Sequence, residues 1–148
     1  MCVTRNQSLP LLWLLSDRRN DAQLEAILHA LPRGSGFVFR HYHLDPAARR
    51  ARFDELADLA RDLSHMVILS DEEDWGADGC YGVPERLGRG LRLATAHDGK
   101  ELQDAIAAQA DGIFLSPVFH TASHPGGATL GVHGFHVLAQ QSPVPVIA

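Results

Sequence analysis

The residues from Ser116 to Gly131, SPVFHTASHPGGATLG, place hydroxyls, imidazoles and glycines in one short loop. Hydroxyl and imidazole groups donate to anions, and Gly126 and Gly127 would let backbone N–H groups approach a phosphate closely. The loop follows ADGIFL, residues 110–115, a run of small and apolar residues with the form of a buried strand. Loops at the carboxyl ends of parallel strands are where α/β proteins keep their chemistry, so Ser116, Thr121, Ser123, His124 and Gly131 are candidate binding residues. The same Pro125-Gly126-Gly127 run also suits an ordinary turn.

Other strand ends carry further candidates. Arg40 closes one apolar run, where its guanidinium could bind an anion or pair with a carboxylate at the rim. Ser70-Asp71 closes another, and Asp71 begins the run DEED. Hard oxygen donors suit magnesium, while such a run also suits a solvated helix start. Thr95 ends a third run; with Thr121 and Ser123 it offers hydroxyls either to a ligand or to its own turn. Histidines at His41, His43, His120, His124, His133 and His136 invite a zinc reading. Strand alternation weakens it: if Arg40 faces inward with Val38 and Tyr42, His41 is sent to the opposite side. A zinc hydrolase rests on the histidine count alone.

The elements that must hold these residues alternate along the chain. Apolar runs predict seven strands at Leu11–Leu15, Gly36–Arg40, Met66–Leu69, Gly79–Tyr81, Leu91–Thr95, Ile113–Leu115 and Val144–Ile147. Leu24, Ile27, Leu28 and Leu31 are spaced as one helix stripe, and Leu56, Leu59, Ala60 and Leu63 as another. Asp45-Pro46 supplies an N-cap and a first-turn proline to the second helix, and Asp98 with Glu101 supplies a near capping box to a third. Nearly uniform βα units with no Gly-x-Gly-x-x-Gly fingerprint point to an α/β fold, a (β/α)8 TIM barrel one strand short. Such barrels run to about 250 residues, so residues 1–148 read as a single barrel domain lacking its last βα unit. Either the chain is shorter than a full barrel, or the open edge is covered by another chain such as a second copy.

Composition removes several alternatives. With 148 residues, 45% hydrophobic and 21% charged, the chain can bury a core of its own. A formal net charge of -5 leaves no basic stripe, and Arg49, Arg50 and Arg52 read as one exposed helix face, so no nucleic-acid partner is expected. Cys2 and Cys80 cannot build a disulfide framework, which fits a cytoplasmic protein. The run from Leu9 to Leu15 is far short of the roughly 20 residues that span a bilayer, and it lacks a signal-peptide cleavage site. It reads as a buried strand, with no membrane partner. Trp13, Trp75 and the phenylalanines read as core.

Taken together, LLSDRR at Leu14 to Arg19 and ADGIFLSPVFHTASHPGGATLG at Ala110 to Gly131 resemble the thiamin phosphate synthase and TenI-like family, TIM barrels of thiamine biosynthesis. The resemblance implies a transferase that joins hydroxymethylpyrimidine diphosphate to thiazole phosphate and releases pyrophosphate, with magnesium on the leaving group. Its alternative is a divergent TenI-like protein, non-catalytic or regulatory, that binds phosphorylated thiamine precursors. Small phosphorylated pyrimidine and thiazole ligands are the implied partners. Departing pyrophosphate demands converging anion clamps more than a general base.

Residue by residue, the resemblance makes Arg40 the diphosphate-facing arginine, while Val38 and Tyr42 stand where the family prefers Gln and Lys. Asp71 becomes the magnesium ligand, preceded by Ser70 where the family shows Asn. Arg40 and Asp71 are thus the implied catalytic pair. Glu85, in YGVPER, is the nearest carboxylate to the expected second ligand. Thr95 and His97 resemble a Ser-x-His pattern, Thr121 and Ser123 match hydroxyl positions of the sixth loop, and His124 replaces a lysine. Pro117 takes the place of the tautomerase branch's catalytic histidine, so tautomerase activity is not expected. The family's carboxyl-terminal glycine-rich phosphate loop is expected beyond Ala148.

Overall fold

A computed structural model describes residues 8–122 and 125–148, which leaves Cys2, Ser123 and His124 outside the described residues. Among the described residues seven strands, β1 (Trp13–Leu15), β2 (Gly36–Phe39), β3 (Met66–Leu69), β4 (Gly79–Gly82), β5 (Leu91–Ala96), β6 (Gly112–Leu115) and β7 (Val146–Ile147), form one sheet in sequence order. Every neighbouring pair is parallel. Among the described residues four α-helices accompany them: α1 (Leu24–Ala30), α2 (Pro46–Asp62), α3 (Gly99–Ala107) and α4 (Gly131–Ala139).

Period-two alternation divides each strand between two cores. Phe37 and Phe39 of β2 and Val67 and Leu69 of β3 face outward, where they pack with Leu24, Leu28, Phe53, Leu56 and Ala60 of α1 and α2. Ala94, Ala96, Ile113 and Leu115 do the same beneath Leu102 and Ala105 of α3. Val38, Ile68, Leu91, Leu93 and Phe114 face inward and meet one another. Burial of each large side chain contributes roughly 1.5–3 kcal/mol, so the two helix-covered layers and the inner layer together hold the sheet's curl.

The curl is visible in contacts between distant strands. Trp13 of β1 meets Phe114 of β6 edge-on, with ring centroids 5.4 Å apart. Tyr81 of β4 meets the same phenylalanine at 5.2 Å. The Trp13 ring lies flat over Gly36, where an added Cβ would stand only 2.1 Å from Trp13 Cε3. Among the described residues β1 and β7 are not paired, so this is a TIM-type sheet that stays open on one side.

The helix caps act as the sequence indicates. Asp45 accepts from Ala48 N at 3.0 Å and Asp98 from Glu101 N at 2.8 Å. Glu101 reaches back to His97 N at 2.8 Å, one residue before the cap.

Four features differ from the sequence expectation. The links between β3 and β4 and between β4 and β5 contain no α-helix, only a 3₁₀ turn at Pro84–Arg86, so the βα units are not uniform. These links are too short for a packed crossover helix, and the residue 83–90 segment instead folds over β4, with Gly88 N–H directed at Cys80 Sγ at 3.2 Å. Leu11 is fully exposed rather than part of a buried strand, because β1 begins only at Trp13. Phe119 is 67% exposed and is not core. Arg49 and Arg52 do not lie on an exposed face, because Arg49 is buried and Arg52 is held by Asp21 and Glu25.

Candidate functional site

The carboxyl ends of β2, β3, β4 and β5 surround a cavity of about 570 Å³. Alternation explains its lining: the inward register that buries Val38, Ile68 and Leu93 continues to Arg40, Ser70 and Thr95 just past them. Four of the sequence candidates, Arg40, Ser70, Asp71 and Thr95, therefore meet in one place, and His97 joins them.

Arg40 is fastened to β1. Its backbone N–H donates to Ser16 Oγ at 2.9 Å, its Nε donates to the Ser16 carbonyl at 2.9 Å, and one terminal nitrogen lies 3.4 Å from Asp17. The rest of the guanidinium is left toward the cavity, of which Arg40 forms part of the wall.

Arg49 was legible only as a charge, yet it organises the rim. From the first turns of α2 it donates to the Arg40 carbonyl at 2.8 Å, to the Ser70 carbonyl at 2.8 Å, and to the Asp71 carboxylate. Its guanidinium also lies 5.2 Å from the Trp75 ring and 5.7 Å from the Phe39 and Tyr42 rings. Such placement combines cation–π attraction with three satisfied acceptors, which is what allows an arginine to be buried. The sequence signal was present: Arg49, Phe53, Leu56 and Ala60 share one helical stripe.

Asp71 is held ionised. Burial raises its pKa, but the Glu73 backbone N–H and the Arg49 guanidinium more than offset this and leave it below the ordinary carboxylate value. No helix begins at the DEED run, in which Asp71, Glu72 and Glu73 form bends. Arg86 lines the cavity too, with Nε 3.8 Å from Glu72. Glu85 is exposed and does not line it. Tyr42 directs its hydroxyl at Ser70 Oγ, whereas burial beneath the rim pushes the Tyr81 hydroxyl pKa up.

The sixth-strand loop stands beside this cavity rather than in its wall. Ser116 continues the ladder by donating its N–H to Ala96 O at 3.1 Å, and Thr121 is exposed. Gly131 opens α4 with φ 66° and donates to Val118 O at 2.9 Å, which closes the loop on itself. None of these three lines the cavity, and Ser123 and His124 lie outside the described residues.

Asp21, His41 and His43 form a second cluster, with potential ligand atoms all within 4.8 Å of one another. Arg52 Nε already sits 2.9 Å from the Asp21 oxygen that His41 Nε2 contacts at 2.8 Å. A guanidinium and an imidazole N–H thus fill the place a cation would take, and the cluster works as a hydrogen-bond network.

Chemically, the mouth offers guanidinium groups and hydroxyls around the Asp71 carboxylate, with Glu72 beside it on the same rim. Guanidinium groups and hydroxyls are the donors a polyanion requires, and carboxylate oxygens are the hard ligands that suit a divalent cation.

Residues 83–148 match the thiamine monophosphate synthase family (TMP-TENI), a span that includes the whole of the Ala110–Gly131 segment and does not reach the Leu14–Arg19 segment. No curated protein sequence matches the chain. Among solved structures, the chain is similar to a thiamine phosphate pyrophosphorylase from Pyrococcus furiosus, with a TM-score of 0.75 over 92% of this chain and 73% of that one. At 16% identity this likeness establishes the fold, a TIM-type α/β sheet.

Proposed function

We propose, from the thiamine monophosphate synthase family match as premise, that the chain is a thiamin phosphate synthase-like transferase. It would join hydroxymethylpyrimidine diphosphate to thiazole phosphate and release pyrophosphate. The observation that carries this reading is the convergence of Arg40, Arg49 and Arg86 with Ser70 and Thr95 on one cavity at the carboxyl ends of parallel strands. Its volume of about 570 Å³ falls in the usual range for small-ligand sites.

In this reaction the bond between the pyrimidine methylene carbon and the diphosphate oxygen breaks, and its electron pair leaves with pyrophosphate. The thiazole nitrogen lone pair then forms the new carbon–nitrogen bond. Charge accumulates on the leaving diphosphate, so the groups that matter in this reading are the donors that line the cavity. Arg40 donates to diphosphate oxygens, while Ser70 and Thr95 offer hydroxyls. Arg49 keeps Asp71 and the ends of β2 and β3 in register. Asp71 fits magnesium as one carboxylate ligand, since that ion is commonly held by one or two carboxylates together with ligand phosphates. When bound, the ion would neutralise charge on the departing diphosphate.

A second reading is a binding protein for the same phosphorylated ligands. Val38, where the family prefers Gln, is fully buried in the inner core and offers the ligand no polar atom. Tyr42, where it prefers Lys, spends its hydroxyl on Ser70. Incubation with both substrates and magnesium, followed by measurement of thiamin phosphate, separates the two. Product formation supports the transferase; ligand binding without product supports the binding protein. A cytoplasmic location belongs to the same proposal, in keeping with the absence, among the described residues, of a helix long and apolar enough to cross a membrane.

A further inference from the structure

Arg40 owes its orientation to a residue that never reaches the cavity. Ser16 Oγ accepts the Arg40 backbone N–H at 2.9 Å, and the Ser16 carbonyl accepts Arg40 Nε at 2.9 Å. With that acceptor role filled, the Ser16 hydroxyl proton is free to donate, and His41 Nδ1 lies 2.8 Å away. On the other side of the ring, His41 Nε2 is 2.8 Å from Asp21 Oδ1. Asp21 is an ionised acceptor: burial raises its pKa, but His41 and Arg52 outweigh that and leave it lowered. The Nε2 position therefore carries the imidazole proton and Nδ1 accepts from Ser16. The bonds run in one direction, from Arg40 N–H to Ser16, from Ser16 to His41, and from His41 to Asp21.

The ring has no freedom to leave this arrangement. His41 is fully buried and stacks on Phe39 with centroids 4.7 Å apart and planes 9° apart. Its backbone is left-handed, φ 43°, a conformation that costs a non-glycine residue energy and persists where surrounding contacts enforce it. A residue held in such a backbone immediately after Arg40 fixes where the strand end points.

We propose that His41 is a positioning residue: the Ser16–His41–Asp21 bracket sets the pose in which Arg40 presents its guanidinium to a phosphorylated ligand. This rests on the anion-binding reading of Arg40 given above.

Asparagine and glutamine separate the two bonds of His41. Asparagine places a carbonyl oxygen where Nδ1 stands and tolerates a left-handed backbone, and its oxygen is always an acceptor, so it needs no Asp21 to set a tautomer. Glutamine reaches Asp21 but leaves Ser16 without its acceptor. The test is calorimetric titration of the full chain with inorganic pyrophosphate and magnesium. Arg40→Ala is expected to weaken binding about tenfold to a hundredfold, as for loss of charged hydrogen bonds. His41→Gln should weaken it about fivefold to tenfold, and His41→Asn by no more than about threefold. In an Arg40→Ala background His41→Gln should cost nothing further, a result that general loosening of the fold would not give. Ser16→Ala, which removes the same bond from the other end, serves if His41→Gln does not fold. Parent-like binding by His41→Gln and Ser16→Ala, with Arg40→Ala weakened, overturns the positioning role alone. Parent-like binding by Arg40→Ala overturns the anion site itself, and the positioning role with it.

Discussion

Arg49 donates to the Asp71 carboxylate from across the gap between α2 and the end of β3, and with its other nitrogens holds the carbonyls of Arg40 and Ser70. One side chain thus ties together the strand ends that carry Arg40 and Asp71. Its own side chain is only 10% exposed, so removing it leaves two carbonyls without their side-chain donor and a partly buried carboxylate without its cation. Arg49→Met should destabilise the fold by about 2–4 kcal/mol, read as a shift in the urea midpoint at unchanged slope. Arg49→Lys should recover little of this, because a single ammonium cannot reproduce the three-way fork. Equal stability of the Lys variant and the parent would show that charge alone suffices.

Gly36 and Trp13 make a second, purely steric pair. An added Cβ at Gly36 would meet the Trp13 ring at 2.1 Å, well inside contact distance, and the ring is itself pinned against Phe114. Gly36→Ala should therefore cost about 1–3 kcal/mol through overpacking and alter Trp13 fluorescence. Trp13→Leu in the same chain should relieve part of that cost, so that the two substitutions are less than additive in a double-mutant cycle. Additive costs would mean that the inner face has room the structure does not show.

What could be read from the sequence, and what could not, follows from which residues obey local rules. Seven strands were visible because their apolar runs are short and bounded by turn residues, and the Asp45 and Asp98 caps because an N-cap is a local device. Period-two alternation carried Arg40, Ser70 and Thr95 to one cavity and sent His41 to the outer side, where it lies against Phe39. Arg49 defies the rule that charge means exposure, although its helical spacing from Phe53 and Leu56 puts it on the buried stripe. The helix over Gly131–Ala139 escaped because Gly134 and two histidines lower its intrinsic propensity, and packing of Phe135 and Leu138 against the α3 core supplies what propensity does not. The missing crossover helices around β4 were signalled by Gly76, Gly82, Gly88 and Gly90, which leave no room for a helical stripe.

Acid stability should carry the mark of Asp17. A hydrogen bond from the Arg19 side chain, opposed by burial and aided by the Arg19 backbone N–H and by Arg40, lowers its pKa from 3.8 to about 2. The folded state thus binds this proton less readily than the unfolded chain, and stability rises with pH across the interval. The contribution is complete above about pH 4 and fades as pH falls toward about 2. Melting temperatures of the parent and of Asp17→Asn, measured from pH 6 to pH 2.5, should converge at the acid end. Parallel curves would remove Asp17 from the account.

Magnesium dependence should trace to Asp71 and not to Glu85. Asp71 lines the cavity as an ionised carboxylate, whereas Glu85 is exposed outside it. Pyrophosphate binding should tighten on addition of magnesium to the parent and to Glu85→Gln alike. In Asp71→Asn that enhancement should fall by about tenfold, the effect of losing one charged oxygen ligand. Because the same substitution also loosens Arg49, the Arg49→Met protein is the necessary comparison: it keeps the carboxylate and should keep most of the magnesium enhancement even as it loses stability. If Arg49→Met and Asp71→Asn lose the enhancement equally, Asp71 acts only through the strand ends it helps to fix, and the cation is held by the ligand's own phosphates.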